Sequence, residues 1–171
     1  YSVAMGNNTT ASGNYSTAMG RNTTASGIYA TAMGESTTAS ADYSTAMGSY
    51  TTASGYGSTA LGRYNTASGS YSVTMGRGTT ASDWGSLVIG RYNSSSSSAT
   101  SADSFSTSNP AFVIGNGTDF SNLSDAFKVM FNGDTTVSND LTVSGDVVIS
   151  SDARLKSNIV SLGSTLSKLY K

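Results

Sequence analysis

The sequence predicts an all-β solenoid of 14-residue coils, and three observations carry that reading. The residue before a recurrent glycine repeats as Met5, Met19, Met33, Met47, Leu61, Met75 and Ile89, each 14 residues after the last. Ala11, Ala25, Ala39, Ala53, Ala67 and Ala81 keep the same step in a second register. Nearly constant stretches such as Tyr15–Gly20 and Thr23–Gly27 are separated by variable pairs such as Arg21-Asn22. A fixed period of this kind belongs to stacked units in which each touches only its neighbours.

The bulk composition fits. Nine Lys and Arg face ten Asp and Glu in 171 residues, with one Pro and no Cys or His. Abundant Ser, Thr and Gly at low charge is a composition shared with disordered chains. Strict periodicity with a large apolar residue in every unit argues for order instead. A net charge of -1 gives no electrostatic case for nucleic acid. No apolar run approaches the ~18 residues of a membrane helix, so no membrane insertion is expected. No cofactor or metal site is expected either. Residue 1 is a Tyr in mid-pattern, which reads as a segment of a longer chain.

Within a unit the constant stretches are strand-sized and the variable positions turn-sized. Alternation along the first strand puts Tyr15, Thr17 and Met19 on one face, with Ser16, Ala18 and Gly20 on the other. The small-residue face suits only a thin interior. The other face is an apolar stripe along the rod, and so little interior bulk leaves it needing a partner. The simplest partner is a copy of the same chain across a symmetry axis, with Met5, Met19, Met33, Met47, Leu61, Met75 and Ile89 as the seam.

The pairing of Ser-x-Ala-Met-Gly with Thr-Thr-Ala-Ser-Gly at a period of 14 resembles the head of YadA-type trimeric adhesins over residues 1–98. The resemblance implies a left-handed parallel β-roll and a homotrimer packed around a threefold axis. At about 4.8 Å per strand, the coils would stack into a shaft on the order of 35 Å.

Residues 99–110 read as a linker or cap, irregular and closed by Pro110. Residues 111–150 read as a trimeric β-hairpin module. It opens with Ala111–Gly117, which restates the coil theme with bulkier residues. Asn132-Gly133-Asp134 turns Ala126–Phe131 into Thr135–Val137, and Ser144-Gly145-Asp146 turns Leu141–Val143 into Val147–Ile149. In residues 151–171, Leu155, Ile159, Leu162, Leu166 and Leu169 follow heptad spacing and predict a short C-terminal helix.

One stretch carries chemistry. Ser151-Asp152-Ala153-Arg154-Leu155-Lys156-Ser157-Asn158-Ile159 resembles the opening of the endosialidase-type intramolecular chaperone domain of phage tail spikes and fibres. The resemblance implies self-cleavage between Ser151 and Asp152, with Ser151 as nucleophile and Lys156 as base. A serine needs such an adjacent base, and a desolvated lysine can serve. Apart from this the chain is not expected to be an enzyme.

Recognition is expected in the variable turns. Tyr50, Tyr56, Arg63, Tyr64, Trp84, Arg91 and Tyr92 are candidate receptor contacts, since aromatics and Arg dominate binding hot spots. The expected function is a structural fibre for host-surface attachment, as a segment of a trimeric phage tail fibre on the virion. A bacterial trimeric adhesin head at the cell surface, or a self-cleaving protein, is the alternative. The expected partners are the chain itself, a host-cell surface glycan or protein, and other fibre or tail proteins.

Overall fold

The computed structural model describes residues 1–96 and 99–144, and every regular element among them is a strand. Tyr1–Asp140 forms one compact unit. Of the second unit, Leu141–Lys171, the described residues 141–144 are exposed and form no strand. The expected C-terminal helix, the rest of the second hairpin, and both Ser151 and Lys156 lie outside the described residues.

Each of the first six coils contributes one long and one short strand, as in Thr17–Arg21 and Thr24–Ala25, and the seventh contributes the long strand Leu87–Arg91 alone. The long strands stack in parallel with equivalent residues paired, Met5 on Met19 on Met33 and onward to Met75 on Ile89. The short strands stack likewise into a six-stranded sheet opposite. The expected boundaries shift here. The long strand starts two residues later than the constant stretch and takes in Arg21, and the second strand shrinks to two residues.

Small residues fill the gap between the sheets. Ala18, Ala32, Ala46 and Ala60 from the long strands face Ala25, Ala39, Ala53 and Ala67 from the short ones, all at 0% exposure. Thr23, Thr37, Thr51 and Thr79 are buried beside them, and their hydroxyls find no hydrogen-bond partner. Alanine buries little area, and each unpaired buried hydroxyl costs about 1–3 kcal/mol, so this interior is a weak source of stability. Close coil stacking sets the other constraint. At Gly48 φ is +123°, and an added Cβ would lie 2.0 Å from the Gly62 carbonyl oxygen.

The long sheet does not stop at the end of the repeats. Pro110–Asn116 adds in parallel as the next rung, with Ile89 opposite Ile114 and Gly90 opposite Gly115. The spacing here is 25 residues (89 to 114) in place of 14. The intervening segment is a detour tied back to the coils. The buried Asp83 carboxylate accepts the amides of Thr100 at 2.7 Å and Ser101 at 3.0 Å. Pro110 therefore opens a strand instead of closing a linker, and the expected division at 99–110 is bridged by one continuous sheet. Asp125–Met130 then turns antiparallel and pairs with Thr135–Val137, the hairpin expected at Asn132-Gly133-Asp134. The ten-stranded sheet is complete with it.

Candidate functional site

Three surfaces follow from this frame: the outer face of the long sheet and the turns at its two edges. Along the outer face, Met5, Met47 and Met75 are 55%, 38% and 39% exposed, and Met19, Met33, Leu61 and Ile89 are half-buried. The stripe continues through Ile114, which lies opposite Phe127, and Phe127 lies opposite Val137. The expected seam is thus a continuous column that the chain itself leaves partly uncovered.

The first edge corrects the sequence reading. Tyr15, expected in the strand with Met19, sits before it in a left-handed turn at φ 60°, as do Tyr29, Tyr43 and Tyr71. A non-glycine residue there costs about 1–2 kcal/mol, and ring stacking on the next coil offsets it. Tyr15 and Tyr29 lie 5.0 Å apart at 8°, and Tyr29 and Tyr43 5.3 Å apart at 16°. In the fifth coil the turn residue is Gly57, φ 61°, and Tyr56 supplies the ring instead, 5.4 Å from both Tyr43 and Tyr71. Trp84-Gly85 repeats the exchange, with Trp84 5.9 Å from Tyr71. Phe105 and Phe131 extend the column. Two receptor candidates, Tyr56 and Trp84, are therefore rungs of a stacked rail. Partial desolvation, and then the neighbouring Tyr71, Tyr43 and Asp42, raise the pKa of the Tyr56 hydroxyl.

The opposite edge gathers the other candidates. Tyr50 and Tyr64 stack at 5.1 Å, and Phe120 packs edge-on against both Tyr64 at 6.0 Å and Tyr92 at 4.9 Å. Tyr92 is only 3% exposed, so the expected contact there is corrected: this ring is covered by the chain's own loop. Just before these turns, one column of the long sheet reads Asn7, Arg21, Glu35, Ser49, Arg63, Arg77 and Arg91. Arg21 is ion-paired with Glu35, whose hydrogen bond and then charge raise the Arg21 pKa. Arg63, Arg77 and Arg91 are exposed and occupy directly paired positions on consecutive strands. Like charges directly opposite across strands are destabilising, by roughly 0.2–1 kcal/mol each. Arg77, missed in the sequence reading, is the centre of this ladder. Its signal was the recurrence of Arg at one repeat position in three consecutive coils.

Past Ala81 the short sheet ends, and Lys128, Thr136 and Ser138 line an open polar cleft beside Asp125. The Asp125 carboxylate is occupied by the amides of Ser94 and Ser95, each at 2.8 Å.

A stack of identical coils with an apolar outer column and decorated edges defines a structural scaffold that presents surfaces. Residues 1–23, 25–51 and 53–79 each match the YadA head domain repeat (2 copies), so this part of the solenoid is similar to YadA head repeats. These matches cover 77 of the 171 residues. No curated protein matches the chain.

Proposed function

We propose that the chain is a segment of a homotrimeric adhesive fibre in which three copies bury the Met5-to-Ile89 column against one another. The observation that carries this reading is the pairing of an alanine interior with a partly exposed Met column. Burying the remaining area would contribute about 1 kcal/mol per position, several kcal/mol per chain. That is comparable with the whole net stability of an ordinary domain, about 5–15 kcal/mol. Native mass spectrometry or light scattering tests it: three times 17.4 kDa is expected for the chain. Met47→Asp, which buries a charge in the seam, should shift that mass toward the monomer. A monomeric parent chain would sink the proposal.

The finer reading is a phage tail fibre segment on the virion, bearing on a host-surface glycan or protein and joined to other fibre or tail proteins. It rests on the Ser151–Ile159 sequence alone, as does cleavage ahead of Asp152 by Ser151 with Lys156 as base. In that step the Ser151 hydroxyl of one copy would pass its proton to Lys156 and attack the Ser151 carbonyl of a neighbouring copy. The bond to the Asp152 nitrogen would break, Lys156 would return the proton to that amine, and water would hydrolyse the ester to leave a chain ending at Ser151. Mass spectrometry of the expressed full-length product should show a fragment ending at Ser151 that disappears in Ser151→Ala. Identical fragment patterns for the two would remove the protease reading.

A further inference from the structure

We infer that Arg63, Arg77 and Arg91 form a binding ladder for a linear anionic glycan running along the solenoid axis. The inference rests on the adhesive reading above and names the class of surface ligand. The three arginines occupy one repeat position on consecutive parallel strands, so their backbone positions follow one another at about 4.8 Å per rung. Aromatic rings hold their guanidinium groups in place. The Arg63 guanidinium carbon lies 4.8 Å from the centre of the Tyr64 ring, and those of Arg77 and Arg91 lie 5.8 and 5.7 Å from the centre of the Tyr92 ring. Arg91 also donates to the Thr118 carbonyl at 3.3 Å.

The ladder is uncompensated. In the same column Arg21 has Glu35 beside it, whereas among the described residues none of the three has an ion-pair partner. Asp119, on the loop that carries Phe120, is taken by its own turn, where Ser121 and Asn122 amides donate to it at 2.8 and 3.0 Å. A second copy of the chain has little to offer. Of the carboxylates among the described residues, all but Asp140 already accept hydrogen bonds within the chain. Guanidinium groups carried on consecutive rungs instead suit a polymer that presents carboxylate or sulfate groups at regular intervals, each engaged by a planar fork. Nucleic acid fits less well, because the Tyr64 and Tyr92 faces that would stack bases are occupied by arginines and Phe120.

The experiment is fluorescence anisotropy of the full chain with three labelled probes: a heparin hexasaccharide, an oligogalacturonate of equal length, and neutral maltohexaose. One or both acidic probes should bind, with affinity falling steeply as salt is added, and maltohexaose should not. Which acidic probe binds distinguishes sulfate from carboxylate. Arg77→Gln should weaken binding about tenfold, as for the loss of one charge-assisted contact. Arg77→Lys should weaken it less, and Arg21→Gln should stay within twofold of the parent. Equal binding of the neutral probe, no binding by the parent, or equal effects of Arg77→Gln and Arg21→Gln would each overturn the inference. A trimeric mass without glycan binding would overturn it alone. Glycan binding by a monomer would overturn only the trimer.

Discussion

At both edges of the solenoid a left-handed residue turns the chain once per coil, yet the side chains there are disposed of differently. On the tyrosine edge each ring packs on the next ring, from Tyr15 through Tyr56 to Trp84, so the column is held by its own members although its tyrosines stay about half exposed. On the arginine edge neighbouring rungs repel, and the column stays open to a partner. Parallel in-register stacking is the reason. It sets each side chain beside its own counterpart, which favours aromatic rings and penalises charges.

The largest effect is expected at the backbone both edges share. Gly48→Ala puts a Cβ against the Gly62 carbonyl at a φ that L side chains rarely adopt. It should cost about 4 kcal/mol or prevent folding, seen as a collapse of the thermal midpoint. Next is the tyrosine edge. Tyr43→Ala removes a rung between Tyr29 and Tyr56 and should cost about 1–2 kcal/mol by thermal denaturation. The double substitution Tyr56→Gly with Gly57→Tyr restores the usual register and should change the midpoint little. A large loss would show that the two arrangements of the ring are not equivalent. The smallest effect is expected at the open edge. Arg77→Glu rewrites Arg–Arg–Arg as Arg–Glu–Arg, the alternation already used at Arg21 and Glu35. It should gain about 0.5 kcal/mol at low ionic strength and nothing at high salt. A fall in the low-salt midpoint would mean that the ladder does not repel itself.

The coils were legible because period and face are both written in residue type. Ala18 inward, Met19 outward and the Asn132-Gly133-Asp134 turn all follow from alternation and turn chemistry. Tyr15 was misplaced because a β-favouring residue in a left-handed turn contradicts local propensity. The clue lay in the two exceptions, Tyr56-Gly57 and Trp84-Gly85, where glycine takes the strained site and the ring moves back one place. The coil theme was visible in Ala111–Gly117, but its docking as a further rung was hidden by the longer spacing, and the covering of Tyr92 by Phe120 is a long-range contact. Of the site, the aromatic and Arg candidates were visible, but their sorting onto opposite edges needed the coil.

Because each long strand pairs with equivalent positions one coil away, gain or loss of a whole coil leaves every remaining register unchanged. Reach and valence are then set by the same count. Duplicating a coil that carries Arg lengthens the rod and adds a rung to the ladder in one genetic event.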